Sequence, residues 1–273
     1  MILVDGLPAG EVRATDRGLA YGDGVFRTFT LAAGRPRHWR RHYAKLVADC
    51  AAIDVECPAE AVLRDELRQA CGNAPSDHVA KIIVTRGDGP RGYAYARDTA
   101  PTRIVSISAR AAHRSEWGDG VRVRRCGLRL ASQPALAGIK HLNRLENVLA
   151  RAEWSDPSIA EGLLCDGDDN VIGGTMTNVF IAVNGALATP SLVRCGVAGV
   201  TRDRVIDAAG EHGVACAVRD IAWAEVVRAD EVILTNSVAG AWPVRDLEGH
   251  AFAIGPLARS IRRWLESDDE ESA

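Results

Sequence analysis

The apolar positions of the chain open in short β-type runs and then switch to helical spacing. "MILVDG" and "GEVRA" predict two short strands around a turn, and "VFRTFTLAAGRPR" predicts a hairpin turning at Ala33-Gly34. "HWRRHYAKLVADCAAI" places His42, Leu46, Ala48 and Ile53 near one helical face, and "AEAVLRDELRQACG" repeats the spacing and stops at Gly72. Two β-rich runs follow, "HVAKIIVTRG" and "TRIVSISAR", around a loop with Gly87, Gly89, Pro90 and Gly92. The polar, turn-rich "AAHRSEWGDG" then predicts a linker.

Beyond the linker the pattern is mixed again. "VRVRRCGLRLA", "EGLLCD", "TNVFIAVNGALATP" and "DEVILTNS" predict strands, the third folding into a hairpin through Asn184-Gly185. "AGIKHLNRLENVLAR" predicts a helix, because Leu142, Leu145 and Leu149 recur at helical spacing and should bury one stripe. "TRDRVIDAAGEHG" predicts a short helix with Thr201 as N-cap and Gly210 or Gly213 near its end, and "GPLARSIRRWLE" a terminal helix before the tail "SDDEESA". The pattern predicts an α+β chain in two domains, 1–112 and 113–273.

Composition narrows the class of chemistry. With 273 residues and 47% apolar content the chain can bury a large core. Its 33 basic and 36 acidic residues leave a net charge of -3, too small a field to recruit nucleic acid or an anionic membrane. A small-molecule substrate is expected. No run approaches the roughly 18 apolar residues of a membrane span, and "MILVDGLPAGEVRATDRG" lacks the layout of a signal peptide, so a cytoplasmic location is expected. Seven cysteines without a C-x-x-C pair predict buried free thiols in a reducing compartment rather than disulfides or a metal site.

Several motifs fail on chemistry. "GDGPRG" matches G-x-G-x-x-G at Gly87, Gly89 and Gly92, but Pro90 and the following "AYARDTAP" do not open the helix that a pyrophosphate needs. That loop instead presents Arg91 and Tyr93. His38 and His42 lack the intervening glutamate of a zincin, and no G-x-S-x-G occurs. "CGVAGVTRDRV" has more promise: two glycines and a threonine at a helix start suit an anion, and "TNSVAG" offers a second small-residue loop. Lys140 stands just ahead of the leucine stripe, either a solvated surface lysine or a buried amine with a chemical task.

Taken in order, "DRGLAYGDGVFRTF", "RHYAKL", "TRGDGPRGY", "AGIKHLNRLENVLAR", "EGLLCDGDDNVIGGTMTNVFI", "CGVAGVTRD" and "ADEVILTNSVAGAWPV" resemble the pyridoxal-phosphate enzymes of fold type IV. That family includes branched-chain aminotransferases, D-amino acid aminotransferases and 4-amino-4-deoxychorismate lyases, and "AGIKHLNRLENVLAR" with "GDGPRGY" looks most like the lyases of folate synthesis. The resemblance implies an α+β homodimer with pyridoxal 5'-phosphate between its two domains. It implies that Lys140 bonds the cofactor and shuttles a proton, and that Lys45, Val200, Thr201 and Ser237 meet the phosphate. It further implies that Arg91 and Tyr93 help to meet a substrate carboxylate and that Thr28 assists the leaving oxygen. An aminotransferase, or a binding protein that kept the fold, are the alternatives.

Two positions depart from the family pattern. Lys45 replaces an arginine, keeping the charge without the planar fork. In "VIGG", Gly173 stands where relatives place a glutamate against the pyridine nitrogen, which weakens the ring as an electron sink. Elimination that ends in an aromatic ring should tolerate this better than transamination.

Overall fold

The computed structural model describes residues 1–72, 77–110 and 119–267. Most of the segment expected as a linker and nearly all of the tail lie outside them. Among the described residues two compact units are present, one built from residues within 1–110 together with Ile139–Asn143, the other from 119–138 and 144–267.

The first unit runs β1 (Ile2–Val4), β2 (Leu7–Pro8), α1 (Arg17–Tyr21), β3 (Gly24–Ala32), β4 (Arg35–Pro36), α2 (Trp39–Ala52), α3 (Glu60–Cys71), β5 (His78–Thr85) and β6 (Thr102–Ala109). Its sheet has the order β2-β1-β6-β5-β3-β4. Alternation along β3 decides the layers. Val25, Phe29 and Leu31 are buried and cluster with Trp39 and Leu46 of α2 and with Leu63 and Leu67 of α3. Phe26 and Thr28 point to the other, half-buried face, where Thr28 lies opposite Lys81 of β5.

The first turn is Asp5-Gly6, both at positive φ, and the strand after it is Leu7–Pro8 rather than "GEVRA". The Ala33-Gly34 hairpin forms as expected, with φ of 48° and 79° at its two corner residues. On α2 the inward face is Trp39, His42, Leu46, Asp49 and Cys50, whereas Ala48 is exposed.

The second unit contains β7 (Val121–Arg129), α4 (Leu145–Arg151), β8 (Ile159–Cys165), β9 (Val171–Gly174), β10 (Asn178–Val183), β11 (Ala186–Pro190), α5 (Val200–Glu211), β12 (Cys216–Arg219), α6 (Trp223–Val227), β13 (Glu231–Asn236), β14 (Gly240–Leu247), β15 (His250–Ala251) and α7 (Pro256–Ser267). Its strands follow the order β12-β11-β10-β13-β14-β7-β8-β9, with β15 on β14. One apolar cluster joins Val179, Ile181, Leu234 and Trp242, and another packs α5 and α7 through Val205, Ala209, Ile261 and Trp264 against Phe180 and Ile233.

The stretch "AGIKHLNRLENVLAR" is not one helix. Gly138, at φ 79°, turns the chain, and residues 139–143 then pair with β3: Phe26 N–H donates to Lys140 O at 2.9 Å and Leu142 N–H to Gly24 O at 2.9 Å. On that side of β3, β4 pairs only with Leu31 and Ala32, so the first half of the strand offers an open edge. Backbone pairing at that edge overrides the leucine spacing. Helix α4 starts only at Leu145, and Leu145, Val148 and Leu149 are more than half exposed, so the expected buried stripe does not exist.

Candidate active site

Lys140 lies in the first unit, in an extended segment whose backbone is held on both sides. Its N–H donates to Asp49 Oδ2 at 3.1 Å, and its carbonyl accepts from Phe26. Its Nζ stands 4.5 Å from the centroid of the Phe26 ring, and Lys81 Nζ stands 5.0 Å from the same ring. Thr28 follows Phe26 on that face, so the expected lysine and hydroxyl share one surface of the sheet. Lys45 is half-buried on α2, and its carbonyl accepts from Arg27 Nη2 at 3.0 Å.

Arg91 and Tyr93 sit on the loop after β5, both exposed, Tyr93 at 86%. Buried Arg17 anchors that loop, donating to Gly92 O at 2.9 Å, Tyr93 O at 3.2 Å and Ala94 O at 3.3 Å. The Tyr93 ring leans on Tyr21 at 5.5 Å between centroids. Asp23 takes Arg17 Nε at 2.9 Å and a fork from Arg86 at 2.8 and 3.0 Å. Burial opposes the Asp23 charge, but hydrogen bonds and charges from Arg86 and Arg17 outweigh it and hold its carboxyl below the usual value. Sequence reasoning missed this trio and α1. Asp16 as N-cap and Gly22 at φ 65° as C-cap were legible signals for that helix.

In the second unit, α5 begins without a side-chain cap: its N-cap is Gly199, and Thr201 lies inside the first turn rather than capping it. The Asn178 side chain packs close against Gly199, where a Cβ would stand 2.2 Å from its Oδ1. Asn178 in turn donates to Val197 O at 2.8 Å and fixes the approach to the helix. The Thr201 and Ser237 hydroxyls are 3.2 Å apart. Asn236 Oδ1 shapes the second loop by accepting from the Val238 and Ala239 amides at 3.0 and 2.7 Å. Uncapped first-turn amides, a helix dipole and two converging hydroxyls fit a phosphate.

Gly173 is buried on β9, opposite Leu164. Glu161 of β8 is bound into the turn that follows Gly173. Its side chain is fully buried and accepts from the amides of Gly162, Thr175 and Met176 at 2.9, 3.0 and 3.0 Å, and from the Thr175 and Thr177 hydroxyls at 2.5 and 3.1 Å. Those oxygens are committed to the 174–177 turn. A Cβ on Gly173 would stand 2.8 Å from Thr177 O, itself accepting from Gly174 N–H at 2.8 Å. Gly173→Ala and Gly173→Glu are therefore both expected to destabilise the protein by about 1–3 kcal/mol in chemical denaturation, because either must displace that turn. A Gly173→Glu protein as stable as its parent would show that the turn yields freely.

The seven cysteines are free, five of them buried. Burial pushes Cys126 up to about 12 and Cys195 up to about 11, so neither is a thiolate nucleophile. Among the described residues no group of three metal-ligating side chains occurs, and no helix is long and apolar enough to cross a membrane.

A family model described as amino-transferase class IV matches residues 24–247. The chain belongs to that family, whose solved members share its α+β fold. It is 34% identical over 267 residues to an aminodeoxychorismate lyase from Vibrio harveyi, covering 96% of this chain and 98% of that one. The crystal structure of 4-amino-4-deoxychorismate lyase from Pseudomonas aeruginosa superposes with a TM-score of 0.92 at 48% identity, covering 98% of this chain and 99% of that one. A D-alanine aminotransferase from Bacillus licheniformis is 27% identical over 265 residues, covering 92% of this chain and 89% of the relative.

Proposed function

We propose that this protein is an aminodeoxychorismate lyase, using pyridoxal 5'-phosphate to convert 4-amino-4-deoxychorismate into 4-aminobenzoate and pyruvate. The observation that carries the choice of elimination over transamination is the buried glycine at 173 with Glu161 fully committed elsewhere. The likeness to two lyases over nearly the full chain supports the same reading.

The residues present fit the cofactor at two of its three points of attachment. Val200, Thr201 and Ser237 would hold the phosphate with the α5 amides, assisted by the Lys45 charge, and Lys140 would bond the aldehyde. Gly173 would present no carboxylate to the pyridine nitrogen at the position where relatives have a glutamate. When bound, the cofactor draws electrons from the carbon next to the substrate amine and so acidifies its proton.

Lys140, once its amine is free, takes the C4 proton at Nζ. The C3–O bond breaks, the Thr28 hydroxyl supplies a hydrogen bond or proton to the departing oxygen, and the ring becomes aromatic. The enolpyruvate released takes up a proton and becomes pyruvate. Aromatisation drives this sequence, so a weak electron sink suffices. Arg91 and Tyr93, on the loop anchored by Arg17, are the residues assigned to the substrate carboxylates. Full transamination, in contrast, must place a carbanion's charge in the ring, and the protein offers no carboxylate at 173 to support it.

The exposed apolar face of α4 supports a homodimer, with a second copy covering Leu145, Val148 and Leu149. Leu145→Lys with Leu149→Lys is expected to convert the dimer to a monomer in sedimentation velocity. A double variant that remains dimeric would remove α4 from the interface. A cytoplasmic location matches the free thiols.

A further inference from the structure

The ladder between β3 and β5 ends with Gly24 opposite Thr85, so Asp23 and Arg86 meet just past it, where Arg86 N–H donates to Asp23 O at 3.0 Å. Their side chains meet as well. Arg86 forks onto the Asp23 carboxylate, and Arg17 of α1 donates its Nε to Oδ2 at 2.9 Å, so two guanidiniums share one carboxylate. Arg17 and Arg86 are 3% and 5% exposed, and an apolar cluster would close this corner of the sheet at a lower desolvation cost. Their remaining N–H groups explain them. Arg17 reaches the carbonyls of Gly92, Tyr93 and Ala94, and Arg86 reaches those of Ile53 and Asp54, in the turn after α2, at 2.7 and 2.6 Å. The loop is gripped twice more. Gly92 N–H donates to the Tyr21 hydroxyl at 2.9 Å; the Tyr95 ring centroid lies 3.6 Å from the Arg86 guanidinium, and its hydroxyl donates to Asp54 Oδ2 at 3.2 Å.

The backbone of residues 92–94 is therefore held at every carbonyl, while the Arg91 and Tyr93 side chains stay exposed. A loop with a fixed backbone and free side chains is suited to present them, because a ligand that meets them has less loop entropy to remove. We propose that Arg17, Asp23 and Arg86 act as one positioning unit for substrate binding, in which Asp23 joins the loop of Arg91 and Tyr93 to the turn at Ile53 and Asp54 and so holds that loop in its binding conformation before substrate arrives. This rests on Arg91 and Tyr93 meeting the substrate carboxylates. The unit acts through the loop backbone and moves no proton, so its loss weakens binding and leaves the chemical step alone.

The test compares two variants of the full chain, loaded with cofactor, with the parent. Asp23→Asn keeps the size of the side chain, removes its charge and offers one acceptor oxygen in place of two. Arg17→Lys leaves the Asp23–Arg86 fork in place but substitutes a point charge that cannot reach the carboxylate and three carbonyls together. Trypsin cleavage at Arg91–Gly92, followed by mass spectrometry, is expected to run about ten-fold faster in both, while cleavage after Arg68 in α3, which needs the unit to unfold, keeps its parent rate. In the 4-aminobenzoate assay the KM for 4-amino-4-deoxychorismate is expected to rise about ten-fold, with kcat within about three-fold of the parent. Because the residues act as one unit, the two changes combined should raise KM no further than either alone. Unchanged cleavage at Arg91–Gly92 in Arg17→Lys would overturn the proposal. So would faster cleavage at both sites in both variants, which would reveal a contribution to folding alone, or effects on KM that multiply in the combined variant. Cleavage does not depend on turnover. A parent that forms no 4-aminobenzoate would sink the lyase reading, whereas a parent that forms it, with KM unmoved in both variants, would sink this proposal alone.

Discussion

Replacing Lys140 with alanine is expected to lower 4-aminobenzoate formation by at least about a thousand-fold, because the variant loses both the covalent anchor for the aldehyde and the base for the C4 proton. The fold should survive. The Lys140 segment is held by its backbone, through Asp49, Phe26 and the Leu142–Gly24 bond, and none of those contacts uses the side chain. Circular dichroism and melting temperature should match the parent, while the visible absorbance that the parent shows with pyridoxal phosphate should vanish. Lys140→Arg keeps the charge and should be equally inactive, since a guanidinium neither bonds the aldehyde nor accepts a proton near neutral pH. Activity within ten-fold of the parent in either variant would assign the chemistry to another residue.

The second large effect concerns stability. Glu161→Ala is expected to cost about 3 kcal/mol or more, because it strands the Gly162 and Met176 amides and the Thr175 and Thr177 hydroxyls, each unsatisfied donor costing about 1–3 kcal/mol, while the Thr175 amide keeps its second bond to Gly162 O. At about 2–4 °C per kcal/mol for a chain of this size, the melting temperature should fall by about 6–12 °C. Glu161→Gln should also destabilise, since its amide nitrogen would point a donor at donors. The 174–177 turn lies between Gly173 and Asn178, and Asn178 governs the approach to α5 through Val197. Loss of Glu161 should therefore weaken binding of pyridoxal phosphate as well as the fold. A Glu161→Ala protein that melts within 2 °C of the parent would contradict this account of the turn.

The local pattern made much of the fold legible. Helices α2 and α3, the Ala33-Gly34 and Asn184-Gly185 hairpins and the strands β5, β6 and β13 all follow from spacing and turn residues, because in each the local preference and the packing agree. The failure at "AGIKHLNRLENVLAR" has a tertiary cause. Three leucines at helical spacing are as compatible with an exposed face as with a buried one, and only the open edge of β3 explains why residues 139–143 extend. That edge is made by residues more than a hundred positions earlier in the chain, so no local window contains the information.

The site divides in the same way. Lys140, Thr201 and Ser237 stood out through residue type and motif, and the structure gives Thr201 and Ser237 a shared hydrogen bond. Asp49 lay outside every motif, and Asp23, Arg27 and Glu161 lay inside motifs that gave them no role. Arg27, Asp49 and Glu161 are charged residues on otherwise inward faces, and burial, not spacing, marks them as consequential. An arginine at an odd position of β3, in step with Val25 and Phe29, was the signal that alternation alone contained.

The central claim is that this site eliminates pyruvate rather than transferring an amino group. It is tested most directly by incubating the protein with chorismate, glutamine and an aminodeoxychorismate synthase, and measuring both products. The account predicts 4-aminobenzoate and pyruvate in equal amounts, dependent on pyridoxal phosphate and absent with Lys140→Ala. Neither product, together with amino-group transfer from D-alanine or a branched-chain amino acid to a keto acid, would contradict it.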